Sequence, residues 1–295
     1  MNLSTQTGPA PASDLGRPSP PTRDESIRQI LTPTRRTIVP IRRGFVQLGH
    51  GKTTRPGPLA EFVTGHDERG LDAYLLVHGI ASAAEPHTAV MHAGAWARIL
   101  GLGEAATPTS AKSAVSKVMR RLEQRKLVTR SRRNRTSVVT LLREDGSGED
   151  FKRPEGRTRD DRWLQFPHSY WTDGTYLDLE LPGKALLLIA LSLPAGFPLP
   201  EQKAAGWYGI SSSTIGAGIR ELLQAEILHR DQKWVETTKS EHGWTQDYRY
   251  TLVGDYSIEA RKRAAKSRYG DPETADTDIA SDVEDALDEL AGENP

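Results

Sequence analysis

An internal repeat constrains the fold of this chain more than any other feature. The segment SAVSKVMRRLEQRKLV (113–128) aligns without a gap with STIGAGIRELLQAEIL (213–228), at an offset of 100 residues. The matched apolar positions are Val115, Met119, Leu122, Leu127 and Val128, which correspond to Ile215, Ile219, Leu222, Ile227 and Leu228. Self-similarity at a fixed offset predicts two structural units of the same kind. The length of 295 residues is enough for two domains of ordinary size.

The two segments also match on the face that should be exposed. At about 100° per residue, Val115, Val118, Met119 and Leu122 share one face of a helix. The opposite face carries Ser113, Lys117, Arg120 and Gln124 in the first copy, and Ser213, Ala217, Arg220 and Gln224 in the second. Core packing explains the apolar matches but not the polar ones. The polar side chains suit either a solvated surface or contact with phosphates and base edges in a DNA groove.

Charge favours DNA contact for the first copy. Between residues 112 and 143 there are eleven Lys or Arg residues and a single acid, Glu123. A helix and hairpin this basic gain affinity for DNA by releasing counterions. The candidate DNA-binding residues in this copy are Lys112, Ser113, Ser116, Lys117, Arg120, Arg121, Arg130, Arg132, Arg133 and Arg135. Those in the second copy are Ser213, Arg220 and Gln224.

Hydrophobic spacing and turn residues predict the same order of elements in both units. The first unit, 57–143, is predicted to hold helices at 71–84, 93–100 and about 109–126, the last capped by Thr109 or Ser110, and strands at 127–131 and 136–142. The second unit, 163–256, is predicted to hold helices at 183–193, 200–208 and 211–225, and strands at 227–237 and 247–253. The predicted fold class is mainly α with small β-hairpins (α+β).

Three helices with a basic third helix of the form S-x-x-x-x-V-M-x-x-L-x-x-x-x-L-V, followed by an Arg-tipped hairpin, resemble the winged helix-turn-helix family. The resemblance covers most of 69–142 and 183–253. It implies two winged-helix domains in tandem, in which the third helix reads the major groove and the wing touches the backbone or minor groove. Those roles would fall to Ser113, Lys117, Arg120 and residues 132–135.

The second copy departs from this pattern. Residues 163–258 hold eleven acids against seven Lys or Arg, and Ala217 replaces Lys117. Gly216 and Gly218 lie inside its third helix, where each costs about 1 kcal/mol relative to Ala. The glycines permit a close backbone approach or are a tolerated irregularity. This unit is predicted to give a second DNA contact, a homodimer interface or a surface for another protein.

The remaining segments are assigned by composition. They are a disordered tail (1–34), a basic arm (35–56), a linker (144–162), a basic helix (257–270) and an acidic tail (271–295). The acidic tail holds ten acids and no Lys or Arg, so it either solubilises the chain or competes with DNA for the basic surface.

Other classes of site find little support. The chain has no Cys, and GHGKTT (49–54) lacks the first glycine of a phosphate-binding loop, so a loop contact of Lys52 and Arg55 with phosphate is preferred. His87 and His92 lack a third ligand, and no catalytic set stands out, so neither a metal, a cofactor nor an enzyme activity is predicted. No secretory signal or membrane span is found, since the longest apolar run is 185–193. A cytoplasmic, nucleoid-associated protein is expected.

Sequence-specific binding of double-stranded DNA, as a transcriptional regulator, is therefore the leading functional prediction. The alternative is a replication initiator that recognises repeated origin sites, because tandem winged helices in one chain resemble plasmid initiators of that build. A further alternative is a protein-interaction adaptor whose acidic tail recruits a partner.

Overall fold

The computed structural model of the chain is a mixed α+β fold with small antiparallel sheets. It describes residues 19–34, 36–49, 51, 54–102, 107–134, 136–238 and 241–269. The helices in these ranges are α1 (Arg23–Leu31), α2 (Leu59–Thr64), α3 (Glu68–Ile80), α4 (Ala93–Ile99), α5 (Pro108–Gln124), α6 (Ser169–Thr172), α7 (Thr175–Asp178), α8 (Leu181–Leu191), α9 (Glu201–Tyr208), α10 (Ser212–Gln224) and α11 (Ile258–Tyr269). In the described ranges, no helix is both long and apolar enough to cross a bilayer.

The strands form four small sheets within the described residues. They are β1 (Ile38–Arg42), β2 (Gln47–Leu48), β3 (Arg55–Pro56), β4 (Thr88–Met91), β5 (Val128–Arg133), β6 (Thr136–Leu141), β7 (Trp163–Pro167), β8 (Phe197–Pro198), β9 (Leu228–Glu236) and β10 (Trp244–Leu252). The sheets have the strand orders β1-β7, β2-β3, β4-β6-β5 and β8-β10-β9.

The internal repeat extends over six elements in each half. The first half runs α3-β4-α4-α5-β5-β6 and the second runs α8-β8-α9-α10-β9-β10, so helices, strands and strand order correspond one for one. The turns from the third helix into the hairpin match as well, because Lys126 and Glu226 both have a φ of 55°. The apolar stripes of α5 and α10 are buried as their spacing predicts. One hydrophobic core includes residues of both halves.

The amino-terminal segment differs from the prediction of a disordered tail over 1–34, because α1 begins at Arg23. Thr22 and Glu25 form a capping box, in which each side chain bonds the backbone N–H of the other residue. Ile27 and Leu31 are buried in the core. The prediction followed the Pro- and Ser-rich composition of the whole segment and missed this local capping box at the start of α1. Residues 1–18 lie outside the described ranges.

The predicted basic arm holds a buried strand that joins the two halves. Every residue of β1 is buried, and β1 pairs with β7 in antiparallel register from Ile38↔Pro167 to Arg42↔Trp163. Because β1 precedes the first repeat and β7 precedes the second, equivalent strands pair antiparallel, as in a dimer with a two-fold axis. The halves are thus joined through a shared sheet.

The segment predicted as a linker, 144–162, takes part in the core. The Glu144 carboxylate is fully buried. It accepts hydrogen bonds from Nη1 of Arg42 (2.7 Å) and from the backbone N–H of Arg42 (3.1 Å). Asp161 binds the same guanidinium at 2.9 Å. Burial raises the pKa of Glu144, although Arg42 opposes that rise. Polar composition predicted a linker here, whereas Glu144 is buried and paired with Arg42.

The two glycines of α10 have different environments, which gives a testable contrast. A Cβ at Gly218 would lie 2.6 Å from the carbonyl oxygen of Pro182 and 2.8 Å from Cβ of Leu186, both on α8. The three atoms nearest to a Cβ at Gly216 all belong to the Glu201 carboxylate, from 3.2 Å, which is the end of a flexible side chain. We expect Gly218→Ala to lower the free energy of unfolding by about 1–3 kcal/mol through overpacking. Gly216→Ala should raise it by up to about 1 kcal/mol through helix propensity.

Urea unfolding of both variants measures this contrast. If the two variants were equally stable, the close approach of α10 to α8 would not be what requires Gly218.

Candidate nucleic-acid interface

The outer face of α5 is a row of exposed polar and cationic side chains. Thr107, rather than the predicted Thr109 or Ser110, caps the helix by accepting from the N–H of Ser110 (3.3 Å), and Pro108 occupies the first helical position. The exposed residues that follow on this face are Lys112, Ser113, Lys117, Arg120 and Gln124. Four of them were predicted to contact DNA. A cap and an amphipathic stripe suffice to orient this face outward.

The hairpin β5–β6 carries further exposed cations. Arg132 and Arg133 are exposed near its tip, opposite Ser137 and Thr136. Asn134 adopts the left-handed conformation, φ 57°, that a tight turn needs. Arg135, also predicted as a DNA-binding residue, lies outside the described residues.

Six cationic residues of this helix and hairpin are exposed, and their side chains have no hydrogen bond or ion pair with another described residue. They are Lys112, Lys117, Arg120, Lys126, Arg132 and Arg133. Because none of the described carboxylates forms an ion pair with them, their charge is available to an external anion. A count of basic residues does not reveal which cations are unpaired, because Arg121 and Arg130 in the same segment are bound to carboxylates within the protein.

Arg121, also predicted as a DNA-binding residue, is bound to a carboxylate of the protein. Its guanidinium binds the Asp67 carboxylate at 2.6 and 2.8 Å, and Arg125 binds the same carboxylate at 2.6 Å. Asp67 also caps α3 by accepting from the N–H of Gly70. Burial acts to raise the pKa of Asp67, but the hydrogen bonds from the two arginines outweigh it, so the pKa is lowered. Arg121 therefore attaches α5 to the start of α3.

Arg130 is also bound within the protein. Its guanidinium binds the Glu123 carboxylate at 2.6 and 2.9 Å and donates to the carbonyl of Ser116 at 3.4 Å. Ser116 itself is half-buried. These contacts tie β5 to α5, so Arg130, which was predicted as a DNA-binding residue, also positions the hairpin.

The second repeat presents a sparser version of the same face. Ser213, Arg220 and Gln224 are exposed on α10 as predicted, although the Ser213 hydroxyl lies 3.0 Å from that of the capping residue Ser211. Glu221 occupies the position equivalent to Arg121. Its carboxylate accepts from the N–H groups of Glu180 and Gly183 at the start of α8.

Arg121 and Glu221 therefore have the same structural role, although their charges are opposite. In both repeats this residue secures the third helix to the N-terminus of the first. The alignment of the two repeats already carries this information, because an Arg-to-Glu change between equivalent positions argues against a shared DNA contact.

The interface so defined is one cationic helix face beside a cationic hairpin. Such a surface can bind a polyanion. The chain matches no protein-family model and no curated protein. Its function is therefore inferred from its geometry and sequence.

Proposed function

We propose that this chain binds double-stranded DNA sequence-specifically through tandem winged helices. The element order supports the fold assignment, because three helices, a hairpin and a third strand that pairs with the hairpin make up each repeat. The observation that carries the function is the sorting of charge on the first repeat. Arg121, Arg125 and Arg130 have carboxylate partners. The exposed cations of α5 and β5–β6 have none among the described residues.

In the proposed complex, α5 enters the major groove. Arg120 and Gln124 contact base edges, since Arg pairs bidentately with guanine and Gln with adenine. Lys112 and Lys117 neutralise phosphates on either side of the groove. Arg132 and Arg133 place the hairpin against the adjacent backbone or minor groove.

The second repeat contributes less to this duplex contact. It is net acidic, and α10 offers Arg220 and Gln224 but no counterpart of Lys117. The β1–β7 pairing and the shared core hold the two repeats together in one chain. We propose a site in which the first repeat anchors the protein and the second adds a weaker contact.

Regulation of transcription is the biological role we favour. Replication initiation is the second candidate, and the antiparallel pairing of the equivalent strands β1 and β7 favours it. A single chain then brings two helix–hairpin units to DNA as a dimer would. A genome-wide binding map separates the roles, because promoter sites support a regulator and iterated sites at one origin support an initiator.

Selection from a random duplex library tests sequence-specific binding. The intact chain should enrich a defined motif, and Arg120→Ala should relax the preference at one base pair, with about 1–3 kcal/mol less discrimination there. Lys152→Ala, at an exposed site away from α5, is the control and should enrich the unaltered motif. Failure of the intact chain to enrich any motif would reject the proposal.

A further inference from the structure

The hairpin of the second repeat exposes two large aromatic side chains. Strands β9 and β10 are nine residues each, against six in β5 and β6, and every residue of β9 after Leu228 is exposed. Trp234 is 63% exposed and Trp244 is 53% exposed. Exposed tryptophans on a projecting element indicate a binding surface, because isolated hairpins gain no core from them.

The two tryptophans lie on the same face of the hairpin. Trp234 pairs with Gln246 and Trp244 pairs with Glu236, so they are diagonal neighbours across the strands. Diagonal positions are separated by about 7–8 Å. A planar ring inserted between two others needs about 7 Å, twice the stacking step of about 3.4 Å in nucleic acids. Diagonal positions at this backbone separation place both indoles within reach of one flat aromatic guest.

The same face continues with groups that suit a nucleobase. Tyr248, which is half-buried against the core, lies next to Gln246 on this face, and its hydroxyl donates to the Gln246 side chain. The Arg230 guanidinium lies 5.1 Å from the centre of the Tyr248 ring. Gln232, opposite Tyr248, is exposed. Stacking rings, an arginine and amide groups together match the edges and faces of an unpaired base.

The exposed apolar area is too small for a stable protein interface. A fully buried Trp covers about 150–250 Å², so two half-exposed rings offer far less than the roughly 800 Å² per partner of a typical complex. Val235, 44% exposed, lies on the opposite face of the hairpin and does not enlarge the patch. This area favours a nucleobase over a second copy of the chain.

We infer that this aromatic face, formed by Trp234, Trp244 and Tyr248, binds unpaired bases of single-stranded DNA. The inference rests on the proposed DNA-binding function, because the hairpin directly follows α10 in the second winged helix. The first repeat then holds duplex DNA while the second holds bases that have left the stack.

Fluorescence anisotropy with a labelled thymidine oligonucleotide of about 15 nucleotides tests the inference. The full chain should bind it, and Trp234→Ala with Trp244→Ala should weaken that binding about tenfold or more. Phe at both positions should retain most of the affinity. Leu177→Ala, which removes another exposed apolar side chain, 53% exposed, is the matched control and should change nothing. Affinity for a duplex should stay within about twofold in all variants, because the duplex surface lies on the first repeat.

Each outcome distinguishes this inference from the proposed function. If the Ala pair binds the thymidine oligonucleotide like the intact chain, or if the intact chain does not bind it, the aromatic face is not a base platform. If the Ala pair instead lowers the oligomeric state by sedimentation without changing oligonucleotide affinity, the face is a protein interface. A uridine oligonucleotide of equal length assigns the bases to DNA or RNA, and tighter uridine binding would overturn DNA as the target. Failure to bind any duplex, with Trp-dependent oligonucleotide binding intact, rejects only the proposed function.

Discussion

Lys184→Met is expected to lower the free energy of unfolding by about 3–5 kcal/mol, which is the range for breaking a buried ion pair on one side. The Lys184 ammonium lies on α8, is 2% exposed, and binds Glu68 at 2.6 Å and Asp72 at 2.9 and 3.0 Å. Asp72 is itself 11% exposed. Removing the cation leaves that carboxylate buried beside only Arg23, at 3.5 Å, among the described residues.

The cluster of Lys184, Glu68 and Asp72 joins the two repeats. Glu68 and Asp72 belong to α3, the first helix of one repeat, whereas Lys184 belongs to α8, the first helix of the other. Burial raises the pKa of Asp72, although Lys184 and Arg23 oppose the rise. Met fills a similar volume without the charge, so a change in packing contributes little.

Thermal and urea unfolding of three variants measure this effect. Lys184→Met with Asp72→Asn should recover part of the loss, because the orphaned charge is gone. Arg28→Ala removes the exposed Arg28–Asp24 pair and should cost under about 1 kcal/mol. A loss below about 1 kcal/mol for Lys184→Met would contradict the cluster's role in joining the repeats.

The second large effect concerns DNA. Arg120→Ala, Arg132→Ala and Arg133→Ala together are expected to weaken duplex binding by roughly 10²-fold or more, because they remove one contact to a base and two to phosphates. All three side chains are exposed and lack described partners, so the fold should keep its stability. Anisotropy with a selected duplex gives the affinities, and circular dichroism checks folding.

A matched variant separates local contact from net charge. Lys152→Ala, Arg157→Ala and Arg263→Ala remove the same charge from exposed sites outside α5 and β5–β6. The duplex affinity of that variant should fall by less than about fivefold, since distant charges are screened within about 10 Å at ordinary salt. Equal losses of affinity in the two variants would mean that net charge, not the α5 surface, governs binding.

The sequence predicted the repeated units well because their determinants are local. The stripe of Val115, Met119 and Leu122 and that of Ile215, Ile219 and Leu222 each placed a helix to within a few residues. The boundary of α5 shifted because Pro108 is favoured at a first helical position and Thr107 then caps it.

Segments whose structure depends on distant partners were predicted poorly. Arg42 and Glu144 are charged residues that composition assigns to an arm and a linker, yet they are buried against each other. Their pairing spans 102 positions, so no local pattern reveals it. The same dependence on distant partners applies to the candidate interface. Arg120 was predicted correctly as an exposed residue, whereas the ion pair of Arg121 depends on Asp67, which lies far away in sequence.

The salt dependence of duplex affinity tests the central claim most directly. For the intact chain, the logarithm of affinity should fall linearly with the logarithm of salt concentration. The slope should become shallower by about 2 in the Arg120, Arg132 and Arg133 variant, since each of the two phosphates that are no longer neutralised accounts for about 0.9. The Lys152, Arg157 and Arg263 variant should keep the original slope. An identical slope for the intact chain and the α5–hairpin variant would contradict DNA binding by this surface.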